Sequence, residues 1–172
     1  MSPTEVSPAG RRARDLGIVI GGLPTGPNNA ITDVPGVRVG HCTLIEGEGR
    51  LVPGTGPVRT GVTIIEPRSR IWETPIVAGF HRLNGNGELT GTHWIRESGQ
   101  LTTPIGLTNS HSVGTVRDAI AAQVHRERGE GAYWCLPVVG ETYDGLLNDI
   151  NGFHVEPAHV AAAFAALATG PV

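Results

Sequence analysis

No stretch of this chain is apolar over the length a bilayer demands. The amino terminus, M-S-P-T-E-V-S-P-A-G-R-R-A-R, also lacks the apolar core of a signal peptide. The expectation is a soluble, cytoplasmic protein. Cysteine is scarce as well: Cys42 and Cys135 stand singly in unrelated contexts, which favours reduced packing thiols over a disulfide framework. Long blocks of like charge are missing. The 13 basic and 16 acidic residues, with a formal charge of -3, are interspersed, which argues against nucleic acid or an anionic membrane surface as partner. A small molecule is the better candidate.

Several catalytic signatures are absent too. The seven histidines include no H-E-x-x-H, and His154 and His159 are five apart rather than the four that align ligands on a helix, so no metal site is expected. His41, His81, His93 and His111 read as hydrogen-bonded structural histidines. His41 adjoins Cys42, but neighbours on a strand point to opposite faces, which counts against a Cys-His pair. There is no G-x-S-x-G elbow. Asn84-Gly-Asn-Gly-Glu-Leu-Thr-Gly91 spaces its glycines G-x-G-x-x-x-G, off the dinucleotide fingerprint. Those glycines read as a turn needing positive φ, or as points where backbone N–H groups approach a ligand, with Glu88 near a helix start.

What is present suits one α/β domain, since 172 residues can bury a substantial core without a metal or disulfide. Residues 1–14 are expected to be a flexible tail, its first ten rich in Ser and Pro, and residues 15–172 the domain. Short Val-, Ile- and Leu-rich runs predict strands over 37–44, 61–66, 75–80, 105–107 and 136–139. Helical spacing of Val113, Val116, Ile120 and Val124, stopped by Gly129, predicts a helix over 112–128. Others are expected over 157–168, with proline in the first turn, and 88–97.

Two of these strands empty into polar clusters. After 136–139 come Glu141, Tyr143, Asp144, Asn148, Asp149 and Asn151, and after 75–80 comes H-R-L-N-G-N-G-E-L-T-G. Such strand ends suit one shared pocket for a polar substrate. Glu141 is the candidate for holding a substrate ammonium, with a structural ion pair to an arginine as the alternative. Asp149 and Asn151 read as turn residues, and Trp134 as core or pocket wall.

The blocks N-A-I-T-D-V-P-G-V-R-V-G-H, R-T-G-V-T, N-G-N-G-E-L-T-G, P-I-G-L-T-N-S-x-S-V-G and E-T-Y-D-G-x-L-N-D-I-N-G-F-H-V together resemble the L-aminopeptidase/D-esterase family, which includes the β-peptidyl aminopeptidases. They run in the family's order from residue 29 onward. The resemblance implies a self-processing serine hydrolase without metal or organic cofactor. It implies an αββα sandwich similar to N-terminal-nucleophile hydrolases, here an incomplete part of it. By resemblance, Glu141 matches the carboxylate that binds the substrate's free α-ammonium, Tyr143 the active-site tyrosine and Trp134 an aromatic wall of the substrate pocket. The expected substrate is a peptide, amino-acid amide or ester with a free amino terminus, and the expected assembly is an oligomer of αβ units.

The family's nucleophilic serine and self-cleavage site lie downstream of the N-D-I-N-G block, past Val172. The chain therefore reads as the amino-terminal part of the α subunit, and sheet edges and apolar faces are expected to lie bare where the remainder would pack. Two other readings stand beside this one: a non-catalytic binding or assembly module, and a hydrolase working through Cys42 or Cys135.

Overall fold

Cys42 and Leu44 alternate with His41, Thr43 and Ile45 along β1 (Arg38–Glu46), so one face of the strand turns to the core and the other stays open. The antiparallel β2 (Val58–Glu66) repeats the pattern, burying Val62 and Ile64 on the same side. These strands belong to a computed structural model that describes residues 13–129 and 131–171. Further along come β3 (Ile76–Val77), α1 (Thr92–Ser98), β4 (Gln100–Leu101), β5 (Ile105–Asn109), α2 (Val113–Arg128), β6 (Val138–Thr142) and α3 (Pro157–Ala165).

The main sheet runs β1-β2-β5-β6, with β5 antiparallel to β2 and parallel to β6. A parallel pair needs a crossover, and α2 supplies it. Val113, Val116, Ile120 and Val124 form its buried stripe, and the Gly129 N–H closes the last turn on the His125 carbonyl. α3 packs beside it, and Val160 and Ala163 join Val62, Ile64 and Val139 in the core. Each of the valines and isoleucines among them, once buried, contributes about 1.5–3 kcal/mol. Gly40 allows α3 to rest directly on β1: a Cβ there would lie 2.1 Å from the Ala163 carbonyl oxygen.

All this packing lies on one face. The opposite face carries His41, Thr43, Ile45, Thr63 and Leu107 over a shallow hollow of 540 Å³, and Ile45 and Leu107 are 68% and 39% exposed. The bare apolar face expected from the sequence is therefore present. The sheet edges are covered only in part. Val39 exchanges two 3.0 Å backbone hydrogen bonds with Ala168, while residues 88–90 run antiparallel along β6, bonding the Glu141 N–H and the Val139 carbonyl.

Those edge contacts explain where the elements depart from their predicted bounds. The helix expected over 88–97 begins only at Thr92, because Leu89 pairs with Gly140 as a strand would. The helix expected over 157–168 ends at Ala165, freeing Ala168 for β1. The strand expected over 75–80 shrinks to two residues paired with β4. The strand expected over 136–139 starts later and reaches Thr142, since backbone pairing with β5 continues past the apolar residues through Thr108–Glu141 and Asn109–Thr142. Of the expected tail, residues 1–12 lie outside the described residues, and Ala13 and Arg14 open a short exposed 3₁₀ turn. Among the described residues no helix is long and apolar enough to cross a membrane.

Candidate active site

Parallel pairing with β5 places Glu141, the fourth residue of β6, beside the turn that starts α2. Asn109 shapes that turn: its side-chain oxygen accepts the Ser112 N–H at 3.0 Å and its amide donates to Thr60 Oγ1 at 2.8 Å. Ser110 is thereby turned toward β6, where its hydroxyl donates to Glu141 Oε2. On the other side, the Glu141 N–H is held by the Glu88 carbonyl at 3.2 Å, and Gly87 lies over the carboxylate. A Cβ on Gly87 would come within 2.7 Å of Glu141 Oε1.

The two polar clusters thus meet. Asn86, Gly87, Glu88, Ser110, Glu141 and Tyr143 surround a hollow of 450 Å³. A neighbouring hollow of 520 Å³ shares Gly87, Glu88 and Glu141 with it and extends to Phe80 and Asn84. Among the described residues Glu141 makes no ion pair: the pairs formed are Arg38–Glu66, Arg70–Glu73, Arg117–Asp118 and His154–Asp149. Its hydrogen-bond partner Ser110 is neutral, so the carboxylate has no direct cationic partner among the described residues, although His81 and Arg82 line the neighbouring hollow with it; a carboxylate placed this way can receive a ligand cation. Of the glycines in this loop, Gly91 alone has the positive φ expected of a turn (72°); a side chain at Gly87 would instead displace the Glu141 carboxylate.

Tyr143 follows β6 and is 67% exposed at the rim, its hydroxyl directly over Gly145. The turn behind it is anchored by Asn148, which is buried. Asn148 accepts the Arg59 N–H at the start of β2 (2.9 Å) and donates to Asp144 Oδ1 (3.0 Å). Asp149 is buried next to it and precedes the 3₁₀ turn Ile150–Gly152, whereas Asn151 is exposed. Burial pushes the Asp149 carboxyl up, but hydrogen bonds from His154 and the Gly54 N–H outweigh it and hold the group below the usual carboxylate value.

Trp134 is elsewhere. It precedes β6 by four residues and lines a separate 320 Å³ cleft with Trp72, Trp94, Arg128 and Tyr133, so within one chain it shares no hollow with Glu141. It meets Trp94 edge-on at 5.1 Å, and Arg128 lies 4.2 Å over the Tyr133 ring. Burial pushes the Cys135 thiol up, as it does the Tyr133 phenol. Cys42 faces the helical side of the sheet, while His41 on the open side bonds Thr63 at 2.8 Å. The adjacent pair therefore diverges, as strand geometry requires. Among the described residues no three His, Cys, Asp or Glu side chains gather as a metal site.

Ser110 was not singled out by sequence reasoning, and Gly87 was read only as one of the loop glycines, without its approach to Glu141. The signal for Ser110 was its place in T-N-S immediately before the α2 stripe, where side chains of the entry turn face the carboxyl end of a parallel neighbour.

Comparison with known proteins agrees with this architecture. The chain is 54% identical over 166 residues to the β-peptidyl aminopeptidase BapA of Sphingosinicella microcystinivorans, covering 96% of this chain and 41% of that protein. A β-aminopeptidase structure from Burkholderia sp. superposes with a TM-score of 0.85 at 61% identity, over 94% of this chain and 45% of that one. An L-aminopeptidase D-Ala-esterase/amidase from Ochrobactrum anthropi, described as a prototype for the serine aminopeptidases and a variant of the Ntn hydrolase fold, superposes with a TM-score of 0.81 at 46% identity. It is matched over 94% of this chain and 46% of its own. The four-stranded sheet, with α2 and α3 packed on one face, is thus part of an Ntn hydrolase fold, and the chain spans less than half the length of these relatives. Residues 29–172 match peptidase family S58, and the chain belongs to that family.

Proposed function

We propose that this chain is the amino-terminal part of a cytoplasmic serine aminopeptidase, in which Glu141 holds the free α-ammonium of a peptide, amino-acid amide or ester. The observation that carries the reading is the Glu141 carboxylate, which has no ion-pair partner among the described residues and lines the hollow bounded by Ser110, Gly87 and Tyr143. An ammonium anchored there places the first carbonyl of the substrate at a fixed distance from the anchor, which favours removal of terminal residues over internal cutting.

The nucleophile in this reading is a serine that heads a second subunit after self-cleavage of the precursor, beyond Val172. Its hydroxyl attacks the carbonyl and passes its proton to its own α-amine or a neighbouring base. The leaving amine or alcohol takes up a proton, and water then hydrolyses the acyl-enzyme. Tyr143 is assigned to the rim of that centre. The remaining polypeptide covers the open face of the sheet, and such αβ units assemble further into an oligomer.

Hydrolysis of an amino-acid p-nitroanilide by the full-length enzyme tests the assignment. Glu141→Ala is expected to raise KM by roughly ten- to a hundredfold, the worth of a charge-assisted contact, with a smaller change in kcat. Unchanged KM removes the role given to Glu141. Absence of turnover in the unsubstituted full-length enzyme, with amine binding retained, favours a non-catalytic binding module instead.

A further inference from the structure

The Glu141 carboxylate is held on both sides, and the two sides differ. Oε2 takes the Ser110 hydroxyl, Oε1 faces the Cα of Gly87, and the backbone N–H is fixed by the Glu88 carbonyl. Ser110 opens the 3₁₀ turn Ser110–Ser112, whose shape the buried Asn109 sets through Ser112 and Thr60. A free glutamate side chain samples three torsions, and tying one oxygen removes most of that freedom before a ligand arrives.

We infer that Ser110 is a positioning residue for substrate binding: its hydroxyl fixes the Glu141 carboxylate in the rotamer that presents Oε1 to the substrate's primary ammonium. Gly87 makes the same rotamer accessible by leaving Oε1 the space a β-carbon would occupy. The inference rests on Glu141 being the ammonium-binding group. Ser110 acts through Glu141 and touches no reacting atom, so its loss weakens binding and spares the chemical step.

The test is a double-mutant cycle in the full-length enzyme with an amino-acid p-nitroanilide. Ser110→Ala is expected to raise KM about tenfold, in line with a hydrogen bond to a charged group, while kcat stays within about twofold. Ser110→Thr, which keeps the hydroxyl, is expected to restore KM. In a Glu141→Gln background, Ser110→Ala should add little, because the carboxylate it positions is gone. If Glu141→Gln leaves KM unchanged, the ammonium assignment itself fails. If Glu141→Gln raises KM but Ser110→Ala does not, or if the two effects simply add, only the positioning role is overturned. A loss in Ser110→Ala that falls on kcat, or that Ser110→Thr fails to rescue, overturns it as well.

Discussion

Asp149 Oδ2 accepts the Gly54 N–H at 2.7 Å across 95 residues of sequence, and the same oxygen receives His154 Nε2 at 2.9 Å. One buried carboxylate therefore ties the loop before β2 to the turn that carries the N-D-I-N-G block. Gly152 completes the arrangement, since a Cβ there would meet Asp149 Oδ2 at 2.3 Å and His154 Nε2 at 2.2 Å. The turn reading of Asp149 holds, but the side chain reaches well beyond its own turn.

Because its partners hold Asp149 below its ordinary value of 3.8 in the folded chain, its contribution to stability is fully present above that value and disappears as pH falls through the lower folded one. Asp149→Ala is expected to lower Tm at neutral pH, and the gap from the unsubstituted protein should narrow progressively below pH 3.8. Thermal denaturation followed at several pH values reads both. A gap that is constant across this range would mean that the ionised carboxylate is not what Asp149 contributes.

The contrast between Asn148 and Trp134 shows what could be read from the sequence and what could not. The run 138–152 announced a polar site because carboxylates, a phenol and amides followed an apolar strand. The apolar stripe of α2 announced the helix because period is a local property. Partners were not legible. Nothing local says that Asn148 bonds Arg59 rather than solvent, that Gly87 lies on Glu141, or that Ser110 turns toward β6. Each depends on the strand order β1-β2-β5-β6, which brings residues 31 to 89 positions apart into contact. Trp134 does not line the Glu141 hollow for the same reason: nearness in sequence leaves it in the irregular segment before β6, in its own aromatic cleft.

Gly40→Ala tests the helix-on-sheet contact. The added carbon would sit 2.1 Å from the Ala163 carbonyl oxygen and 2.8 Å from the Leu167 nitrogen, both backbone atoms that no side-chain rotation can move away. α3 must shift off β1, at a cost of roughly 1–3 kcal/mol or more, as for other overpacked cores. Denaturant unfolding should show a lower midpoint with an unchanged slope. A midpoint equal to that of the unsubstituted protein would mean that α3 does not rest on β1 as described.

Cys135 decides between the serine and thiol readings of the chemistry. Burial pushes its thiol above the ordinary value of 9.0, and the opposing influence of Tyr133, Arg117 and Arg128 does not reverse the shift. A thiol raised in this way is protonated at neutral pH and is a poor nucleophile. Cys42, on the core side of β1, is half-buried against the helices, and the lining of the Glu141 hollow includes neither cysteine. Iodoacetamide at neutral pH is therefore expected to modify Cys135 slowly, as followed by intact mass, and to leave aminopeptidase turnover of the full-length enzyme unchanged. Rapid modification of either cysteine with matching loss of turnover would move the nucleophile onto this chain and displace the serine mechanism.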